Sequence, residues 1–197
     1  MKRRYCPLVM LVVCRALVGV AMAEDTTIWL ETLLDRAPDD FSEPKDTKAS
    51  VNAAHTFAND FVVGGYFEIE KTTSGVWSYN LEGTLGYDFK LTSYASVGGS
   101  AGVGERWQPV TSGGDFPYYV FRVRADIDLS DRWSWNLITY RLRDGFNPAN
   151  NYYTPEVSTA LTFKIDKSNS VYVKYLYDWQ NGPPSAQAFG FGYKYRF

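Results

Sequence analysis

The residues that most often carry out acid–base or nucleophilic catalysis are scarce in this sequence. It contains one histidine, His55, and two cysteines, Cys6 and Cys14, among 197 residues. Hydrolysis by a serine or threonine hydroxyl needs an adjacent base, which is usually histidine. His55 occurs at the same alternating position as Val51 and Phe57, so it is predicted to lie on an apolar face rather than in a polar site. We therefore expect no catalytic centre, no metal site and no bound cofactor.

Charged residues form the second group that could do chemistry, and they recur at every second position within apolar segments. Side chains at alternate positions of a strand lie on one face, so these charges are predicted to share a polar interior. Charges placed in this way can guide small ions through a pore, or they can pair across the interior and close it. The sequence leaves both outcomes open. The residues predicted to line this lumen are Glu68, Glu82, Arg122, Arg124, Asp126, Lys164, Lys174, Asp178, Lys194 and Arg196.

The end of the chain shows most clearly which element positions these side chains. From Phe189 to Phe197 every odd-numbered residue is aromatic, and every even-numbered residue is Gly, Lys or Arg. This period of two predicts a strand with one apolar face and one polar face. The segment resembles the C-terminal strand signal of outer-membrane β-barrels, which the barrel-assembly machinery recognises. The resemblance implies an assembly signal formed by Phe189, Phe191, Tyr193, Tyr195 and Phe197, and a location in the outer membrane of a Gram-negative-type bacterium.

Five further segments show the same alternation, with their charges on the face opposite the large apolar residues. They span residues 61–69, 77–89, 119–129, 157–165 and 171–179. A water-soluble barrel would have the reverse arrangement, with apolar residues inside and charges outside. Beyond the N-terminal region, no apolar run approaches the length that a membrane-spanning helix needs. The sequence therefore predicts an all-β, antiparallel, up-and-down transmembrane β-barrel.

The number of strands follows from the connections between these segments. Short polar turns are predicted near residues 58–60, 90–92, 130–132 and 166–169, and connections of more variable length alternate with them. This alternation is typical of outer-membrane barrels, which have short turns on the periplasmic side and longer external loops. Nine strands follow Lys48, and a tenth from Thr26 to Leu34 is needed if both termini face the periplasm, with residues 36–47 as the first external loop. Ten strands are expected, and eight are the alternative if the N-terminal piece is a plug or a tail.

One segment does not keep a single alternation. Between Arg132 and Arg143 the large apolar residues are odd-numbered up to Leu137 and even-numbered from Ile138 onward. A β-bulge near Leu137 would reconcile the two halves, because one extra residue reverses which side chains face inward. Arg141 and Arg143 would then lie inside the barrel. Without the bulge they would point outward at the external rim, where they could pair with lipopolysaccharide phosphates.

The first 23 residues have the pattern of a cleavable signal peptide. Three basic residues at positions 2–4 precede an apolar stretch at positions 5–20, and Ala21-Met22-Ala23 forms a cleavage site before Glu24. Residues 24–197 then form one barrel domain, which contains no cysteine. The leader holds four of the 20 basic residues and none of the 22 acidic ones, so the domain has a formal net charge of −6 (16 − 22). This charge argues against nucleic acid as a partner, because phosphate binding needs a basic surface.

These features favour a porin-like narrow channel for small solutes, with anions as one candidate class. The alternative is a closed structural barrel that binds through its external loops or to lipopolysaccharide. A lipid-modifying enzyme is a third hypothesis, but the lipid-A deacylases and phospholipases of this membrane have a serine two residues after the histidine, where this chain has Phe57. The protein is therefore predicted not to be an enzyme. The expected partners are outer-membrane lipid and lipopolysaccharide, the barrel-assembly machinery and small solutes.

Overall fold

The computed structural model describes residues 25–108 and 114–197, which form ten strands and one short 3-10 helix at Pro148–Asn150. The predicted signal peptide at residues 1–23 and the cleavage position before Glu24 lie outside the described residues. No helix in the described ranges is long and apolar enough to cross a membrane. In chain order the strands are β1 (Thr26–Arg36), β2 (Pro44–Thr56), β3 (Phe61–Thr72), β4 (Trp77–Lys90), β5 (Ala95–Trp107), β6 (Phe116–Asp128), β7 (Trp133–Gly145), β8 (Thr154–Lys164), β9 (Asn169–Trp179) and β10 (Pro184–Arg196).

The ten strands form one closed antiparallel barrel. Each strand pairs with its neighbours in sequence, and β1 closes the barrel on β10, with Thr27 opposite Arg196 and Arg36 opposite Gln187. The prediction of an up-and-down barrel with ten strands is confirmed. The alternative of eight strands is wrong, because the N-terminal segment is a full strand between β2 and β10 rather than a plug or a tail. β2 begins at Pro44, so the first loop is shorter than predicted.

The connections at the two ends of the barrel alternate as predicted. Four turns at residues 57–60, 91–94, 129–132 and 165–168 lie at the end that also holds Thr26 and Arg196, which we call the terminal end. The remaining connections lie at the opposite end, which we call the loop end. Because consecutive strands run in opposite directions, this arrangement puts all the inter-strand loops of variable length on one side of the barrel.

The outer surface of the barrel is apolar. Leu85, Val103 and Phe191 are more than half exposed, which would be unfavourable for a barrel surrounded by water. The aromatic residues at 189, 191, 193, 195 and 197 are also exposed on this face. The alternation in the sequence has therefore separated an apolar outer wall from a polar interior, which is the reverse of a soluble barrel.

The irregular alternation in β7 has the predicted cause. Ala125 of β6 pairs with Ile138, but the next residue, Asp126, pairs with Asn136, so Leu137 is an extra residue in β7. The pairing of β7 with β8 shifts over the same residues. The bulge hypothesis is confirmed, and Arg141 and Arg143 face the interior. The alternative in which these two arginines point outward and pair with lipopolysaccharide is wrong.

Glycines on the inner wall make room for the largest interior side chains. Gly192 of β10 lies opposite Tyr172 of β9, and Gly104 of β5 lies opposite Tyr118 of β6. A Cβ atom at either glycine would overlap the neighbouring tyrosine ring. Each ring therefore lies across the backbone of the adjacent strand and fills part of the lumen. A ten-strand barrel has a wider lumen than an eight-strand barrel, whose interior is just filled by side chains.

Candidate functional site in the barrel lumen

The residues predicted to line the lumen occupy strand positions that alternate with the outward-facing residues, but they do not form a single site. Glu68, Glu82 and Arg122 lie in one cluster in the loop-end half of the barrel, and Asp178 lies nearer the loop end. Arg124, Asp126 and Lys164 lie in the terminal half and are more exposed. Lys174 connects two carboxylates, at 3.3 Å from Glu31 and 3.8 Å from Glu156. Arg196 pairs with Asp25 at the terminal rim, with 2.7 Å between Nε and Oδ1.

Arg143 is the centre of the largest cluster and spans the lumen from β7 to β3 and β4. Its Nε atom lies 2.6 Å from Glu82 Oε1, and its Nη1 atom lies 3.3 Å from Glu68 Oε1. The guanidinium carbon lies 5.1 Å from the ring centroid of Tyr66 and 5.8 Å from that of Tyr118. One buried cation therefore has two carboxylates and two aromatic faces as its neighbours, which offset the cost of removing it from water.

Two further arginines complete this cluster around Tyr66. Arg122 forms an ion pair with Glu82, and Arg141 forms one with Glu156. Their guanidinium carbons lie 5.6 and 5.7 Å from the Tyr66 ring, so three cations surround one ring. The Tyr66 hydroxyl donates a hydrogen bond to Glu68. We call the set Tyr66, Glu68, Glu82, Arg122, Arg141 and Arg143 the lumen constriction.

The lumen constriction and its neighbours pack closely in the loop-end half of the interior. Glu68 is 1% exposed, and Asn80, Tyr118 and Leu176 are 0% exposed. Asn80 donates a hydrogen bond from Nδ2 to Glu68 Oε1 over 2.8 Å, which connects the ion pairs to the neutral side chains around them. In the described part of the chain, these buried side chains therefore obstruct this half of the lumen.

A second group of charges lies above the lumen constriction at the loop end. Lys48 Nζ lies 2.6 Å from Asp35, 3.7 Å from Asp178 and 4.0 Å from Glu70. Arg106 Nη2 binds Glu70 at 2.8 Å. These residues line a polar cavity of about 110 Å³ in the loop-end half of the lumen.

Tyr152, from the connection between β7 and β8, covers part of this cavity. Its ring packs edge-on against Phe116 and Tyr118, with ring centroids 5.2 Å apart in both cases. The Arg106 guanidinium lies over the ring at 5.2 Å, and the Tyr152 hydroxyl donates to Asn80 Oδ1 over 3.4 Å. Tyr152 is 7% exposed although it belongs to a loop. It therefore caps the lumen constriction from the loop end.

Hydrogen bonds from Asn181, in the connection between β9 and β10, hold the loop that carries Tyr152. Asn181 donates from Nδ2 to the carbonyl of Asn151 over 2.8 Å, and its Oδ1 accepts the backbone N–H of Tyr153 over 3.1 Å. The backbone N–H of Asn181 also donates to the carbonyl of Tyr153 over 2.8 Å. Both residues that flank Tyr152 are thus fixed by one asparagine on the neighbouring loop.

The terminal half of the lumen is lined differently. Arg124 lies 2.5 Å from Asp88 and 3.5 Å from Asp126, and its side chain is 47% exposed. Lys164 pairs with Asp128 at 2.7 Å. The neighbouring inward positions on several strands carry small residues, namely Ala54, Gly64, Gly86, Ser96, Gly98, Ser100 and Ala160. This half is therefore more accessible than the loop-end half.

Several lumen residues were absent from the sequence prediction. Glu31, Lys48 and Glu156 occupy the same alternating positions as the predicted residues, so the parity of their strands could have identified them. Arg143 could be assigned only after the bulge at Leu137 was fixed. Tyr152 lies in a loop, where no periodicity indicates the direction of a side chain, so no sequence signal could have found it.

His55 lies near the terminal end and is almost fully buried. Its Nδ1 atom is 3.0 Å from the hydroxyl oxygen of Thr26, and its ring packs against Phe57 with 4.4 Å between centroids. This places it at an aromatic contact rather than among the lumen charges. Within the described ranges, no cluster of three or more His, Cys, Asp or Glu side chains has a geometry that could hold a metal ion.

Comparison with known proteins identifies the architecture. No family model and no curated protein matches the chain. Among solved structures, the NanC porin is similar with a TM-score of 0.54 and 10% identity, over 86% of this chain and 100% of that one. An outer membrane channel from Pseudomonas putida F1 is similar with a TM-score of 0.53 and 6% identity, over 89% of this chain and 96% of that one. The chain has the fold of an outer-membrane β-barrel.

The outer-membrane β-barrel fold gives the two ends of the lumen their orientation. In this fold the short turns face the periplasm and the longer loops face outward. The terminal end is accordingly the periplasmic end, and the loop end is the external one. The lumen constriction and Tyr152 then lie toward the external side, and Arg124, Lys164 and Lys194 lie toward the periplasm.

Proposed function

We propose that the protein is an integral outer-membrane barrel that acts as a narrow, porin-like channel for small solutes, with a transport rather than a catalytic role. One observation carries this proposal: the lumen is lined by ionised side chains from the external cavity to the periplasmic rim. Replacing a buried ion pair with apolar residues is often neutral, or stabilising by about 1–4 kcal/mol, so stability alone does not favour a polar interior. A polar wall can be hydrated, however, and this property is what a solute path requires.

Within residues 25–108 and 114–197, the path is closed by the side chains of the lumen constriction and by the side chain of Tyr152, which belongs to a loop. In the described residues, no strand, helix or separate domain lies inside the barrel wall. Rotation of Arg143 away from Glu68, together with displacement of Tyr152, would open the external half without breaking the hydrogen bonds between strands. We therefore infer that the described conformation is the closed state of the channel.

The charges of three basic residues predicted to line the lumen are neutralised in this closed state. Arg122 pairs with Glu82, Arg124 with Asp88, and Lys174 with Glu31. A preference for anions would therefore depend on how these pairs separate when the path is hydrated. Outer-membrane lipid and lipopolysaccharide would contact the apolar outer wall, and the barrel-assembly machinery would insert the chain.

A second candidate is a closed structural barrel that acts through its external loops. The near-complete burial of Glu68, Asn80 and Tyr118 is the observation that favours it. In such a barrel the ion pairs would specify one arrangement of the interior, and solutes would never pass.

Single-channel recording in planar bilayers separates the two candidates. We expect the wild-type protein to open rarely, and Tyr152→Ala to open more often because the cap over the lumen constriction is removed. Tyr153→Ala is the matched control, because the Tyr153 side chain is exposed and only its backbone binds Asn181. If neither the wild type nor Tyr152→Ala conducts, the channel proposal fails and the structural barrel takes its place.

A further inference from the structure

Lys194 is exceptional among the inward-facing basic residues. In the described part of the chain, the other basic side chains of the lumen contact at least one carboxylate or other hydrogen-bond acceptor. Lys194 contacts neither a carboxylate nor another hydrogen-bond acceptor among the described residues. Its Nζ atom instead lies 4.6 Å from the centroid of the Tyr172 ring. A lysine ammonium has three N–H donors, and an aromatic face satisfies its charge only in part.

The Tyr172 ring is fixed in place beside Lys194. Gly192 allows the ring to lie across β10, because a Cβ atom there would overlap it. The Tyr172 hydroxyl donates to Glu31 Oε2 over 2.7 Å, which holds the far end of the ring. The ammonium group therefore lies against an aromatic ring that is held in place.

Lys194 lies between two uncharged partners in register and near charged groups of both signs. Trp29 of β1 and Ser170 of β9 are its partners in register and lie on the same face of the sheet. The charged groups that act on it most strongly are Asp126, Arg124, Glu31 and Lys174. Arg124 contacts Asp126 and Lys174 contacts Glu31, whereas Lys194 forms an ion pair with neither carboxylate. A solute with a single negative charge would neutralise it, whereas a dianion would leave an excess charge beside Asp126 and Glu31.

We propose that Lys194 forms a binding position for the anionic group of a small monoanion, such as a carboxylate, in the periplasmic half of the lumen. This inference rests on the proposed channel function, because it names the class of solute that such a channel would hold. Tyr172 supplies the aromatic surface beside this position, and small inward side chains on β2 to β5 and β8 line the same half of the lumen. Lys194 acts here as a point charge, which suits compact anions of different shapes.

Trp29 provides a test that does not require conduction. The chain has six tryptophans, so the signal of Trp29 must be separated from the other five. It is obtained by subtracting the fluorescence of folded Trp29→Phe in detergent from that of the wild type. Iodide is a monoanionic quencher and acrylamide is a neutral one. One unpaired positive charge within several ångströms of the indole should raise the local iodide concentration roughly threefold at a water-like dielectric constant. We expect Lys194→Gln to reduce iodide quenching of Trp29 by about this factor, without changing acrylamide quenching.

Two variants make the result specific. Lys164→Gln removes the same side chain from the same half of the lumen, but from a lysine paired with Asp128, so quenching should be unchanged. Lys194→Arg keeps the charge and should retain the quenching of the wild type. Equal iodide quenching in wild type and Lys194→Gln, or an equal loss in Lys164→Gln, would overturn the proposal.

The wild-type protein gives a second measurement if Lys194→Gln does not fold. Sodium acetate should protect Trp29 from iodide more strongly than sodium sulfate at the same ionic strength, because the position accepts one negative charge. Equal protection by the two salts contradicts the proposal. A barrel that passes these quenching tests but never conducts would disprove the channel function while leaving the anion position intact, so the two failures are distinguishable.

Discussion

Replacement of Arg143 by methionine tests the lumen constriction directly. Methionine keeps much of the length and apolar volume of the side chain but removes the charge that joins Glu68 to Glu82. Because the Arg143 side chain is only 6% exposed, water cannot replace the guanidinium without rearrangement. Removing one partner of a buried ion pair costs about 3–5 kcal/mol, mainly because the other charge is left unpaired.

The structure places the expected cost at the lower end of that range. Glu82 would still pair with Arg122 and accept a hydrogen bond from the Tyr118 hydroxyl over 3.0 Å. Glu68 would still accept hydrogen bonds from Tyr66 and from Asn80. Because both carboxylates keep partners, we expect Arg143→Met to lower the free energy of unfolding by about 3 kcal/mol.

Urea unfolding of the barrel in detergent or lipid vesicles measures this change, with the midpoint and slope compared between variants. Arg122→Met is the matched control, because Arg122 is more exposed and pairs with one carboxylate, so its loss should cost about half as much. A loss below about 1 kcal/mol for Arg143→Met, or an equal loss for both variants, would refute the role of Arg143 as the centre of the buried network.

Three other predictions concern assembly, facing and processing. Deletion of Phe197 should reduce the amount of protein that reaches the outer membrane far more than it reduces the stability of the refolded barrel, as measured by fractionation and by urea unfolding; normal abundance would contradict the assembly signal. Leu161→Arg should cost about 2–4 kcal/mol in unfolding free energy, because Leu161 lies on the outer face, and Ala160→Arg on the inner face should cost much less. Equal costs would show that the two faces are wrongly assigned. Mass spectrometry of outer-membrane fractions should find Glu24 as the first residue, and an intact leader on the folded protein would contradict this.

The wall of the barrel could be predicted because its determinants are local. Each strand alternates with a period of two, so the facing of Phe191 or Arg122 follows from its immediate neighbours. Even the bulge could be placed near Leu137, since a single extra residue reverses the alternation on either side of it. The tenth strand could be predicted from one condition, namely that both termini lie on the periplasmic side of the barrel.

The contents of the lumen could not be predicted in the same way. Lys174 and Asp178 were both predicted to line the lumen, but their partners were not: Lys174 pairs with Glu31 and Glu156, and Asp178 lies nearest Lys48. Which inward charges meet depends on the curvature of the wall and on the lengths of side chains that cross it, and neither has a local signal in the sequence. The pairing of Arg143 with Glu68 joins strands that are four apart around the barrel, so only the closed structure determines it.

The pairing of β1 with β10 has a consequence for biogenesis. The first of the ten strands pairs with the tenth, so one edge of the sheet remains unpaired until all ten strands are available. Unpaired edges with exposed apolar residues are templates for aggregation, and contacts between distant parts of a chain form slowly. We therefore expect this chain to be kept unfolded and protected until all ten strands can insert together. Under rapid synthesis, we expect the yield of this barrel to be limited by periplasmic chaperone capacity rather than by the stability of the finished structure.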